Sequence, residues 1–167
     1  VDRKITFGKN NAKILGTGLT NTEEGVNFKV NGTYFNLKLK GEFNFYNALA
    51  AIATASAFDV DLMIAKKALE KIEHIPGRME LINEGQNFKI IVDYAPEPES
   101  LGQAYLAISS WKYNRLIHIL GSTGGGRDKS RRQVLGKMAG GKADIVIITN
   151  EDPYDDDPEE IIHQVAD

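Results

Sequence analysis

Several polar groups stand where apolar runs end in this chain, in positions where a ligand could reach them. The segment Gly121 to Lys129 (GSTGGGRDK) follows one such run and precedes helix-like sequence. Glycines expose backbone N–H groups, and a helix N-terminus adds positive potential, so the loop suits an anion. It is not a phosphate-binding P-loop, which needs Gly-Lys-Ser/Thr where this chain has Gly126-Arg127-Asp128. A tight strand-to-helix turn accounts for the glycines equally well. Arg127, Lys129, Arg131 and Arg132 favour carboxylate or phosphate binding through planar or point-charge donors, although a solvated helix face explains Arg131 and Arg132 as readily. Glu151 to Asp157 (EDPYDDD) is the acidic counterpart. Acids at a strand end hold an ammonium group or a metal ion. Asp157 reads as a helix cap and Asp155 and Asp156 as a charged loop, leaving Glu151 and Asp152 as the ligand candidates.

Three further positions have chemistry open to two readings. Asp93 ends an apolar run, where a carboxylate either accepts ribose hydroxyls or caps the helix that starts near residue 98. Asn44 and Asn47 open an Ala-rich helix; an amide there can read adenine through its donor and acceptor, or cap the helix, the simpler role for Asn44. Arg78 follows the Pro76-Gly77 break, free either to cross a cleft or to pair with Glu80. His74, His118 and His163 have no ligand spacing, so no metal is assigned to them.

The elements that must position these groups change character along the chain. Residues 5–7, 13–15, 26–30 and 34–39 are short β-type runs, and Asn31-Gly32 suits the positive φ angles of a hairpin turn between the last two. Residues 44–57 predict a buried helix, followed by a second one capped by Asp59 or Asp61 with Leu62, Ala65, Leu69 and Ile72 on one face. A domain boundary is placed at Pro76-Gly77, giving units 1–75 and 76–167. Beyond it, strands over 88–92, 116–120 and 145–149 alternate with helices from Pro98, from Ser130 and from Asp157-Pro158. That order predicts an α/β fold, with a parallel sheet, helices on both faces and ligands beyond the carboxyl ends of the strands.

Composition narrows the classes. At 167 residues with 42% apolar content the chain can build a core, and a net charge of −3 does not favour nucleic acid as a partner. Without cysteine there is neither a disulfide scaffold nor a thiolate metal site, which fits a reducing, cytoplasmic setting. No apolar run has the ~18 residues of a membrane span, so no membrane partner is expected, and nothing reads as a signal peptide. The start at Val1-Asp2 and the end inside helix-like sequence suggest a piece of a longer protein.

Taken together, Gly41 to Ala51, Pro76-Gly77-Arg78-Met79-Glu80, Val92 to Ala95, Arg127-Asp128-Lys129 and residues 151–154 resemble the Mur ligases, and among them the branch that adds the third residue of the peptidoglycan stem peptide. The resemblance implies the end of an ATP-binding central domain (strands plus two helices), followed by a truncated Rossmann-like C-terminal domain. It implies ATP and Mg²⁺ as cofactors, with the metal ligands outside this stretch. UDP-N-acetylmuramoyl-dipeptide and a free amino acid are the implied partners, together with the rest of the parent chain. By the same resemblance Asn47 contacts adenine, Arg78 reaches the nucleotide, Asp93 binds ribose, and Arg127 with Glu151, Asp152 and Tyr154 holds the incoming amino acid. No catalytic residue is assigned within the stretch, and the fragment alone is expected to be inactive. Departures from the family pattern are Pro96 in place of a His, Gly126 in place of an Asp, and Tyr154 in place of an Arg that pairs with the distal carboxylate of diaminopimelate. Glu151 and Asp152 would then suit an ammonium, which points to lysine or another diamino acid. A sister amino-acid ligase, a non-catalytic nucleotide-binding module and a plain α/β interaction domain are the alternatives.

Overall fold

The computed structural model describes residues 4–167. Val1 and Asp2, on which the expectation of a truncated start rests, lie outside the described residues. Residues group into two compact units, one of Val1–Tyr94 with Leu106–Trp111 and the other of Ala95–Tyr105 with Lys112–Asp167.

In the first unit, β1 (Phe7–Gly8), β2 (Ile14–Thr22), β3 (Gly25–Val30) and β4 (Thr33–Leu37) form a sheet in that order. β1 joins β2 in parallel and the other pairs are antiparallel. The β3–β4 hairpin forms at Asn31-Gly32 as the sequence predicts: Val30 faces Thr33, and Asn31 and Gly32 have φ of 48° and 87°. Alternation along the hairpin sends Val26, Phe28, Val30, Phe35 and Leu37 to one face, where all five are buried. Helix α1 (Phe43–Ala57) covers that face with Phe45, Leu49 and Ile52. Phe28 stacks on Phe35 at 5.3 Å and meets Phe45 edge-on at 5.1 Å, the two geometries aromatic quadrupoles favour. Helix α2 (Leu62–Leu69) adds Ala65, Leu62 and Leu69 to the same core, and of its two candidate caps Asp61 does the work, accepting from Met63 N–H at 2.8 Å.

One expected strand has a different partner. Residues 90–92 (β6, Ile90–Val92) pair antiparallel with β5 (Glu80–Ile82) in a second hairpin, and not with the later strands. A three-residue apolar strand carries no record of its neighbour, and the nearest available edge is the segment just before it in sequence.

Helix α3 (Pro98–Ile108), which starts at Pro98 as predicted, buries Leu101, Tyr105 and Ile108. The second unit contains the parallel pair β7 (Ile117–Leu120) and β8 (Ile145–Ile148), paired from Ile117–Ile145 to Leu120–Ile148. Helices α4 (Arg131–Gly140) and α5 (Pro158–Ala166) bury Leu135, Ala139, Ile161 and Val165. Asp157 caps α5 as expected, its Oδ1 accepting from Glu159 N–H at 2.9 Å, with Pro158 at the first helical position. No helix among the described residues is long and apolar enough to cross a membrane.

α3 is tied to β7 by a polar contact, with Tyr105 Oη 2.7 Å from His118 Nδ1. Burial pushes the Tyr105 hydroxyl up to about 12 and lowers His118 below its ordinary 6.5. A neutral imidazole can accept from the hydroxyl at Nδ1, whereas an imidazolium cannot. The unfolded chain binds a proton on this His at higher pH than the folded one does. Its contribution is therefore complete above 6.5 and lost as pH falls from there toward the depressed folded value. Denaturation midpoints followed from about pH 7 to about pH 5 should fall more steeply for wild type than for His118→Gln. Parallel traces would remove His118 from the acid response.

Candidate functional site

In the first unit, the Pro76-Gly77 break forms a tight turn, Arg78 N–H bonding to Ile75 O at 3.0 Å, and it is locked from the far side of the β5–β6 hairpin. Tyr94 N–H donates to Gly77 O at 3.0 Å, and Asp93 Oδ2 accepts from Met79 N–H at 2.7 Å. Met79 holds a φ of 48°, an uncommon conformation for a side chain of its size, and its side chain is buried. Asp93 is thus engaged at the Pro76-Gly77 turn. Its carboxylate fixes the backbone beside Arg78. The sequence leaves Arg78 a possible ion pair with Glu80, but Glu80 Oε2 accepts instead from Gly77 N–H at 2.8 Å. The exposed Arg78 guanidinium lies 5.2 Å from the Tyr94 ring centroid, a cation–π geometry that holds a long side chain without neutralising it. Arg78, Lys38, Lys40 and His74 line a cleft of about 260 Å³, with Glu73 and Glu80.

Asn44 is not the cap of α1. It sits inside the helix, buried, and its Nδ2 donates to Lys40 O at 2.7 Å while its Oδ1 accepts from Asn47 Nδ2 at 3.1 Å. The helix begins after Glu42, which makes no side-chain cap. Asn47 is exposed, and among the described residues nothing donates to its Oδ1. The amide pair runs back to the carbonyl of Lys40, a lining residue of the Arg78 cleft. The structure therefore links Asp93 to the backbone beside Arg78, through Met79 N–H, and Asn47 to the cleft wall through Asn44. This arrangement fits a nucleoside in chemistry: a free amide acceptor, a planar guanidinium and clustered cations.

In the second unit, the glycine loop and the acidic loop leave the carboxyl ends of β7 and β8 side by side. Gly124 N–H donates to Asp152 O at 2.9 Å, and a Cβ on Gly124 would lie 2.1 Å from Pro153 O. The Tyr154 ring rests on Gly125, where an added Cβ would come within 2.7 Å of it. Tyr154 has φ of 52° and is 65% exposed. Asp128 Oδ1 accepts from Ser130 N–H at 2.9 Å at the entry to α4, and this hydrogen bonding lowers its carboxyl below the ordinary range.

The four basic residues of this loop separate into two kinds. Arg131 and Arg132, which a solvated helix face would have explained, are both buried. Arg131 pairs with Glu97. Arg132 donates to Thr123 O and Gln164 Oε1 and pairs with Asp156. Lys129 lies 3.6 Å from Asp156 Oδ2. Among the described residues, Arg127 alone of the four has no side-chain partner, and the carboxylates of Glu151 and Asp152 are likewise exposed and unengaged. The site thus offers one uncommitted guanidinium and two uncommitted carboxylates on adjoining loops, the complement of a molecule bearing a carboxylate and ammonium groups. The sequence reading missed the structural use of Arg132 and Asp156, and the cleft lining by Lys38, Lys40 and His74. Only the i, i+4 spacing of Arg132 and Gly136 hinted that this face of α4 is packed. No group of three or more His, Asp or Glu that could hold a metal ion occurs among the described residues.

Comparison with known proteins identifies the family. Residues 77–167 match the Mur ligase, glutamate ligase domain and residues 1–55 the Mur ligase middle domain. The chain is 36% identical over 167 residues to the UDP-N-acetylmuramoyl-L-alanyl-D-glutamate--2,6-diaminopimelate ligase of Oceanobacillus iheyensis, covering 97% of this chain and 34% of that protein. It is 35% identical over 159 residues to a UDP-N-acetylmuramyl-tripeptide synthetase of Roseiflexus sp. (strain RS-1), covering 93% of this chain and 31% of the relative. A solved UDP-N-acetylmuramoyl-L-alanyl-D-glutamate--2,6-diaminopimelate ligase superposes with a TM-score of 0.57 at 28% identity, over 96% of this chain and 34% of that one. The chain spans about a third of the length of the curated relatives it matches. On these matches, and with both domain types in the order the sequence predicts, the chain belongs to the Mur ligase family.

Proposed function

We propose that this chain is part of an ATP-dependent amide-bond ligase that adds the third amino acid to UDP-N-acetylmuramoyl-dipeptide in cytoplasmic peptidoglycan synthesis, and so serves cell-wall biogenesis, cell shape and division. Residues 1–75 end the central, ATP-binding domain and residues 76–167 begin the C-terminal one. In such a reaction ATP activates the peptide carboxylate as an acyl phosphate, and the amine of the amino acid attacks it. The residues here bind and orient; Mg²⁺ would be held elsewhere in the parent chain. Asn47, Arg78 and Asp93 serve the adenosine end, Asp93 chiefly by fixing the backbone that carries Arg78. Arg127 takes the α-carboxylate, and Glu151 and Asp152 take ammonium groups. Such a division of labour makes catalysis a matter of positioning.

The observation that carries this reading is the pair of loops at the ends of β7 and β8, where Arg127, Glu151 and Asp152 remain uncommitted among the described residues while every other loop cation is paired. Tyr154 brings no charge to the place where a distal carboxylate would need one, so the amino acid is lysine or another diamino acid lacking that group. Diaminopimelate is the second reading, favoured by the names of the relatives. Phosphate release by the full-length parent, supplied with ATP, Mg²⁺ and UDP-N-acetylmuramoyl-dipeptide, should depend on lysine or ornithine. Release that requires diaminopimelate would reverse the specificity. Release with no amino-acid dependence would leave a nucleotide-binding module.

A further inference from the structure

Arg132 is the largest fully buried side chain among the described residues, 1% exposed, and its guanidinium reaches three separate segments. Nη2 donates to Thr123 O in the glycine loop at 3.0 Å and lies 3.3 Å from Asp156 Oδ2 in the acidic loop. Nη1 donates to Gln164 Oε1 in α5 at 2.6 Å. Four residues on, Gly136 lets the helices approach, since a Cβ there would lie 1.7 Å from Val165 O. The same face of α4 thus sets both the helix spacing and the loop tie.

Stability is a poor explanation for this choice. Burying a guanidinium is costly, and apolar residues of similar volume often replace buried ion pairs without loss. Here the Nε has no partner among the described residues, so part of that cost is uncompensated. A planar fork can do what an apolar side chain cannot, which is to fix the angle between two loops and a helix at once. The loops it joins carry Arg127 on one side and Glu151, Asp152 and Tyr154 on the other.

We propose that Arg132 is a positioning residue that sets the separation of the carboxylate-binding and ammonium-binding halves of the amino-acid site. The assignment of those halves rests on the ligase reading above. Lysine at this position keeps the charge and loses the fork. In the full-length parent, Arg132→Lys should raise the KM for the amino acid about tenfold, with the KM for ATP unchanged. Hydrogen exchange of the same variant should quicken in residues 121–128 and 151–156 together, with the amides of α4 and α5 as protected as in wild type. Equal changes in both KM values, or faster exchange spread through α4 and α5, would reduce Arg132 to a stabilising residue and overturn the proposal. Unchanged exchange in both loops would overturn it as well. If the wild-type parent shows no amino-acid-dependent turnover, the ligase reading fails, and the exchange result alone decides whether Arg132 couples the loops. Should Arg132→Lys not fold, Asp156→Asn removes the charge at the acidic-loop end of the tie, for Arg132 and Lys129 alike. Exchange should then quicken in 151–156 and not in 121–128, and any other pattern counts against the tie.

Discussion

Gly124→Ala in the full-length parent is expected to cut amino-acid-dependent phosphate release by about 100-fold while the KM for ATP stays in place. The added methyl would lie 2.1 Å from Pro153 O, and 3.0 Å from Asp156 Cβ, in a loop that cannot yield without losing its Gly124–Asp152 hydrogen bond. Backbone cannot swing aside as a flexible side chain can, so the two loops must separate. A shift of about 1 Å between groups that orient a nucleophile is enough to cost roughly two orders of magnitude in rate. The nucleotide candidates Asn47, Arg78 and Asp93 belong to the other compact unit, so the two KM values report on different sites. Steady-state kinetics with each substrate varied in turn would check this. Turnover close to wild type would show that the loops do not hold the amino acid. An equal rise in both KM values would show that the variant is merely misfolded.

Phe28→Ala should destabilise the chain by about 3–5 kcal/mol. The ring is wholly buried between Phe35 and Phe45 and lies at the centre of the sheet-to-helix core. Its removal forfeits the transfer free energy of a large side chain and leaves a cavity whose walls are rigid: strand backbone on one side and α1 on the other. The neighbours cannot follow, because Phe35 is fixed by its register opposite Phe28 in the hairpin. Guanidinium denaturation of the parent would measure the loss. A change below about 1 kcal/mol would mean that the core collapses around the gap, contrary to close packing. Because α1 carries Asn44 and Asn47 within one turn of Phe45, nucleotide affinity should fall with stability in this variant.

How far the sequence could be read depended on whether a feature was local. The hairpin at Asn31-Gly32 was legible because positive φ at two successive residues is a property of those residues alone. The start of α5 was legible for the same reason, with Asp157 as cap and Pro158 at the first helical position. Asn44 was misread because capping and helix-interior geometry differ by a residue or two. The decision lay with Lys40, whose carbonyl became available once the chain turned at Gly41. The strand at 90–92 was found, but its partner was not, since pairing is decided by which edge lies near.

By itself the sequence determined the α/β character, the order of the elements apart from the strand at Glu80–Ile82, the resemblance to the Mur ligases and the candidate residues at strand ends. All of these follow from period, turn chemistry and motif. Only the tertiary structure decided what each charged residue is for. Arg127 and Arg132 are five residues apart and chemically identical, yet one is exposed and uncommitted among the described residues while the other is buried in a three-way tie. Arg127 lies on the loop before α4 whereas Arg132 is carried inward by the first turn of that helix, and burial demands partners for a charge that solvent would otherwise satisfy. Asp93 shows the same division, a carboxylate whose place at the strand end was readable and whose grip on Met79 N–H was not.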